Sequence, residues 1–186
     1  MTRSFLRCRL ACRRLHILPT RHLLLASISL QEVAWFVHIP GRHPLAPDAY
    51  QLRRRFIAST SRFGIGQVKD SNRTPLGLHR VAAKVGQGWP IGTAFQSRKP
   101  IGFTWAGLPE APIAHRILWL EGLEPGFNRG GAVDTRSRYI YIHGLANEPS
   151  LGRPASHGCI HLASADLLPL FDAIPTGSLV WITASH

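Results

Sequence analysis

Apolar and polar positions alternate along this chain in short runs, most no longer than a single strand. In Ser27-Ile28-Ser29-Leu30 the apolar residues take every second place, which predicts a half-buried strand where the ordered domain opens. Glu32 to His38, Tyr50 to Ala58, Arg116 to Leu120 and Leu179 to Thr183 read as further strands, and Tyr139 to Ile142 alternates aromatic with β-branched residues. Thr74-Pro75-Leu76-Gly77 is a turn that enters another strand at Leu78 to Val81. The segments between are rich in Gly and Pro, and residues 85–102 read as an irregular wall or flap beside a cleft. Helical spacing shows in Leu167, Leu168, Leu170, Phe171 and Ile174. Because Pro169 is tolerated only in a first turn, this helix is expected to begin with Asp166 as its cap and to end before Pro175-Thr176-Gly177. Many short strands with little helix predict a mainly β fold, sandwich or barrel-like, with one or two short helices. No repeat and no linker divides residues 23–186.

Charge changes the picture at one end. The 22 Lys and Arg against 10 Asp and Glu give a net charge of +12. Arg3, Arg7, Arg9, Arg13, Arg14 and Arg21 all precede the first acid, Glu32. Residues 1–22 therefore read as a basic, disordered segment, with a targeting segment as the second reading. The arginines interrupt the apolar stretch that a secretory signal requires, so no convincing signal peptide is present. A basic protein suits polyanions, including anionic envelope polymers. No zinc finger, helix-turn-helix or aromatic-plus-basic RNA motif is visible, so nucleic acid is not the expected partner.

Chemistry is concentrated near the C-terminal third. Cys8 and Cys12 lie among arginines, while Cys159 stands alone in the ordered part, which is no disulfide framework. Cys159 sits in Ser156-His157-Gly158-Cys159-Ile160-His161-Leu162, and His143-Gly144 closes the preceding strand. A loop with Pro149, Gly152 and Pro154 can fold the thiol back beside the imidazole, which would then accept its proton. The turn at Gly158 can aim backbone N–H groups at a developing oxyanion. Two other readings stand beside this one: an inert buried cysteine with a structural histidine, or a metal site of His143, His157, Cys159 and His161. Structural zinc favours paired ligands in short knuckles, and no second cysteine pair exists, so no metal is expected.

A strand ending in His143-Gly144, a Pro/Gly loop, then Ser156-His157-Gly158-Cys159-Ile160 resembles the catalytic motif of the L,D-transpeptidases, the YkuD-type catalytic domain. Thr74-Pro75-Leu76-Gly77 resembles an upstream element of the same family. The resemblance implies Cys159 as nucleophile, His143 as base and the Gly144 carbonyl as its orienting acceptor, with Gly158, His157 and Ser156 in support. It implies peptidoglycan stem peptides as substrate, no cofactor, and a place in the bacterial cell envelope or periplasm. His161 departs from the family, which usually has Arg or Asn there, so His161 and Arg153 are candidates for holding substrate. A cell-wall-binding module without turnover is the alternative function.

Overall fold

The computed structural model describes residues 3–185; Met1, Thr2 and His186, at the outer ends of the two expected segments, lie outside the described residues. Ten strands form one sheet, in the order β4-β10-β1-β2-β3-β9-β8-β7-β5-β6. They are β1 (His22–Ser27), β2 (Glu32–His38), β3 (Tyr50–Ser59), β4 (Gly77–Val85), β5 (Thr93–Gln96), β6 (Lys99–Phe103), β7 (Ala114–Gly122), β8 (Tyr141–Gly144), β9 (Ile160–Leu162) and β10 (Leu179–Thr183). Because β7 also pairs with β4, the first eight in that order close a barrel, and closure leaves those strands no free edge. The β5–β6 hairpin hangs outside the barrel, tied on by the Ala94–Ala114 pairing. Two helices, α1 (Arg3–Arg14) and α2 (Ser164–Ala173), complete the fold, which is the mainly β, barrel-like class that the patterning predicts.

The period of two along the strands sorts residues between two cores. Leu24, Ala26, Val33, Phe56, Leu118, Leu120, Ile142, Ile160, Val180 and Ile182 fill the barrel, joined by Leu167, Leu170 and Phe171 from α2. Their neighbours Leu23, Leu25, Leu78, Leu179 and Trp181 point outward and are nonetheless buried, because α1 covers them with Phe5, Cys8, Ala11 and Cys12.

That covering corrects the expectation for residues 1–22. Arg3–Arg14 is an ordered helix, not a disordered tail. Phe5, Cys8 and Cys12 recur at helical spacing, and most of the arginines face outward around them. Arg14 pairs with Glu124, whose carboxylate also accepts the Leu78 N–H, and Ser4 Oγ donates to the Ser185 carbonyl at 2.7 Å.

Three element boundaries also differ. The first strand is the run His22–Ser27, while Ile28 to Gln31 form the turn to β2. Buried on both faces, β1 has no polar alternation to reveal it. Tyr139 lies before β8 in a turn, with φ of 56°. The helix α2 starts two residues before Asp166 with Ala163 as its cap residue, and Pro169 lies inside it. Glu148, from the loop before Cys159, accepts the Ser164 N–H at 2.6 Å and does the capping that no local side chain does.

Candidate active site

The strands β8 and β9 run parallel, with His143 opposite His161 and Ile142 opposite Ile160. Since Ile142 and Ile160 point into the barrel, Tyr141, His143, Cys159 and His161 share its outer face. Here that face is roofed by Phe95 of the β5–β6 hairpin and by Ile117 and Trp119 of β7, which pack with Tyr141 and Cys159.

The sulfur of Cys159 rests on the backbone of the neighbouring strand. The Tyr141 N–H donates to Sγ at 3.4 Å, and the thiol donates to the Tyr139 carbonyl at 3.5 Å. Burial pushes the thiol up to about 11, with the Tyr141 N–H and the Arg138 guanidinium pulling the other way. Burial likewise holds His143 down to about 4, so its ring is neutral across the neutral range, and contact with the Gly144 carbonyl opposes that shift. His143 Nδ1 lies 2.9 Å from this carbonyl, which can only accept, so Nδ1 carries the proton and Nε2 is left as the acceptor.

The turn before Cys159 is held at several points. Ser156 Oγ donates to the Cys159 carbonyl at 2.6 Å and accepts the Gly158 N–H at 3.1 Å. Thr74 Oγ1 donates to the Gly158 carbonyl at 3.1 Å, so the Thr-Pro-Leu-Gly element clamps the turn before Cys159. Gly158 has φ of +120°, and a Cβ there would press on Ile140 Cδ1 at 3.1 Å, so both backbone and space require glycine. With its N–H already given to Ser156, Gly158 serves to shape this turn.

The remaining expected residues fare differently. His157 is exposed and turned to Arg62, which donates to its Nε2 at 2.7 Å. The ring of His161 lies 4.7 Å from that of His143, and its buried Nδ1 has no hydrogen-bond partner. Burial and the two neighbouring imidazoles hold His161 down to about 3, so it too is neutral. Arg153 is exposed on its loop and makes no hydrogen bond or ion pair with any site residue. His79 is buried, between the Gly77 carbonyl at 3.0 Å and Thr135 Oγ1 at 3.1 Å, a structural role. Among the described residues no cluster of three His, Cys, Asp or Glu side chains could hold a metal ion.

Sequence reasoning missed Arg138 and the aromatic box. Arg138 spends its N–H groups on the carbonyls of Gly66, Gln67 and Arg73 and lines a cavity of about 130 Å³ with Lys69, Asn72, Tyr139 and His157. Trp119, Tyr139 and Tyr141 form connected ring contacts at 5.9 Å, and Tyr141 in turn meets His143 at 6.3 Å. The period-two placement of these aromatics was a signal of a shared face, but the cation that covers them comes from a distant hairpin. A larger cavity of about 400 Å³ lies beneath α1, lined by Arg7, Leu10 and Trp181, and contains none of the site residues.

The sequence matches the family described as YkuD, L,D-transpeptidase catalytic domain, over residues 35–182. YqjB of Bacillus subtilis (strain 168), whose name proposes an L,D-transpeptidase, is 36% identical over 77 residues, which span 41% of this chain and 38% of that protein. Among solved structures, Bd1075 of Bdellovibrio bacteriovorus superposes with a TM-score of 0.56 at 14% identity, over 89% of this chain and 49% of that one. An L,D-transpeptidase from Mycobacterium tuberculosis H37Rv gives 0.50 at 19% identity, over 88% and 57%. At these identities the superpositions speak for the fold. The chain thus spans about half the length of these solved proteins, and its match covers well under half of the curated relative.

Proposed function

From a chain that belongs to the YkuD family of L,D-transpeptidase catalytic domains, we propose a cysteine-dependent L,D-transpeptidase that acts on peptidoglycan stem peptides. The observation that carries the reading is the hydrogen bond from His143 Nδ1 to the Gly144 carbonyl, because it leaves Nε2 as a proton acceptor on the face that Cys159 shares. In the first half-reaction His143 takes the thiol proton and the thiolate attacks the carbonyl that joins an L-centre to a terminal D-residue. The C–N bond breaks, the imidazolium returns the proton to the leaving amine, and a thioester remains on Cys159. In the second, an amine of another stem, a protein amine or water gives a proton to His143 and attacks the thioester; the C–S bond breaks, and the departing sulfur takes that proton back as the thiol.

The Tyr141 N–H and the Arg138 charge favour the thiolate, which offsets part of the cost of its burial. Ser156, Gly158 and Thr74 fix the turn that aims the sulfur. The substrate puts the working site in the bacterial cell envelope, where anionic polymers would also meet a basic surface. A wall-binding module without turnover is the competing reading, and the thiol held at about 11 is the observation on its side. Mass spectrometry after incubation with tetrapeptide stems decides between them. Transfer predicts an adduct equal to the acyl donor less its terminal D-residue, absent in Cys159→Ala; a protein of unchanged mass, with stems bound but intact, would favour the binder.

A further inference from the structure

The β5–β6 hairpin ends in a two-residue loop, Ser97-Arg98, with φ of 48° and 67°. Such hairpin loops favour Asn and Gly, and a long side chain held at positive φ is strained backbone. Here the strain delivers a guanidinium to the box beside the nucleophile. Arg98 Nη1 donates to Tyr141 Oη at 2.9 Å, and its Cζ lies 4.4 Å from the Trp119 ring centre and 4.9 Å from that of Tyr139. These are the tyrosines whose backbone holds the sulfur of Cys159.

Among the described residues Arg98 has no carboxylate partner and no other hydrogen bond, so most of its five N–H donors are unused there. A second guanidinium, that of Arg136, stands 4.7 Å from the same indole and reaches Glu121 only at 3.9 Å. The other cation near the sulfur, Arg138, has its donors committed to backbone carbonyls. An open guanidinium fork, backed by rings at the edge of a nucleophile's site, fits a planar carboxylate.

Resting on the reading that Cys159 is acylated by a peptide, we propose that Arg98 is the carboxylate-reading residue of this site. Its guanidinium leaves the Tyr141 hydroxyl and takes a carboxylate of the peptide whose carbonyl Cys159 attacks, while Trp119 and Tyr139 keep it in place. Two carboxylates of such a peptide could fill this role: the C-terminal one, next to the scissile amide, or a side-chain one.

The test measures binding to full-length Cys159→Ala, where no turnover occurs, with and without Arg98→Gln and Arg98→Lys. The probes are one tetrapeptide as the free acid, as its C-terminal amide, and with its side-chain carboxylates amidated. Arg98→Gln should weaken the free acid about 10- to 100-fold, the range of a charge-assisted hydrogen bond. Arg98→Lys should lose less, because it retains the charge without the fork. The amide that already binds weakly to Arg98 protein, and that Arg98→Gln leaves unchanged, identifies the carboxylate read. Equal losses for acid and amides would mean that Arg98 only props the hairpin, and overturn the proposal. So would undiminished binding of the acid, or no binding of any probe. Adduct formation in the parent protein is scored separately. An adduct without Arg98-dependent acid preference overturns this inference alone, whereas acid preference without an adduct overturns acyl transfer alone.

Discussion

Removing the proposed base should expose how strongly the fold suppresses the thiol of Cys159. His143→Gln retains much of the ring's volume and polarity but cannot take the thiol proton. Burial holds the Cys159 thiol at about 11, against 9.0 for an unperturbed one. At pH ~8 the unassisted thiolate is then a fraction of about 10⁻³, roughly a hundredfold below that of a free thiol. Alkylation by iodoacetamide, followed by intact mass, should be correspondingly slow in His143→Gln and climb about tenfold per pH unit to the top of the accessible range. The parent protein should react faster at neutral pH by about 10²–10⁴-fold, the usual worth of a positioned base. Its acid limb has a definite sign. Burial depresses His143 to about 4, so the acceptor form persists well below the ordinary imidazole range, and reactivity should fall only as pH approaches that value. The observed midpoints belong to the Cys159–His143 pair rather than to either group. Circular dichroism verifies that the variant is folded. Equal rates in the two proteins at pH ~7, or a His143→Gln profile that levels off near pH ~9, would refute the reasoning.

Other consequences can be checked more simply. Cys159→Ser should abolish thioester formation while the melting temperature stays close to that of the parent, and an adduct of parental yield in that variant would exclude the sulfur as nucleophile. Phe5 is 4% exposed and packs against Phe36 and Tyr50 at 5.7 and 5.6 Å, so Phe5→Ala should cost about 3–5 kcal/mol in urea unfolding; a loss under ~1 kcal/mol would mean that α1 does not hold its seat in solution. His79 and His143 are both depressed from 6.5 to about 4 by burial, so the unfolded chain binds more protons between those values. The stability they permit is complete above pH 6.5 and lost on acidification towards about 4, roughly 3 kcal/mol each at most, and a urea midpoint that stays flat across that window would contradict it.

How much of the fold is legible depends on what covers each strand. A strand with a wet position between buried ones can be read from its alternation, as at Phe56, Ile57 and Ala58 of β3, although Gln51 to Arg55 of the same strand are all exposed. His22–Ser27 cannot, because both of its faces are covered, and the alternation in Ser27 to Leu30 belongs to a turn and misleads. The element that covers its outer face was itself masked. In α1 the buried stripe consists of one large apolar residue, Phe5, with small ones, Cys8, Ala11 and Cys12, while the arginines around it dominate any reading by charge. A lone Glu124 at the other end of an ion pair with Arg14 sits over a hundred positions away, and nothing local foretells it. In α2 the rule that proline belongs in a first turn failed because burial of Leu167, Leu170 and Phe171 outweighs one missing backbone bond at Pro169.

The candidate site divides along the same line. Part of what the local chain segment determines could be read: His143-Gly144 at a strand end, and Ser156 and His157 as shapers of the turn before Cys159. The Gly144 carbonyl as partner of His143 came with the family resemblance, and the positive φ of Gly158 shows only in the fold. What came from elsewhere could be read only where the family resemblance pointed to it, as at Thr74, and then without its contact. Thr74 reaches Gly158 across 84 positions, Arg138 acts on the sulfur through charge while its donors are spent on a separate loop, and Arg98 arrives on a hairpin that is not part of the barrel. These distant contributors act in different ways: Thr74 holds the turn before Cys159, Arg138 favours its thiolate, and Arg98 stands on the Tyr141 hydroxyl. Local sequence therefore carries the pair proposed for proton transfer, and long-range pairing of strands and loops brings the distant groups to it. It follows that a change at Arg138 should move the pH dependence of Cys159, whereas a change at Arg98 should move the choice of peptide.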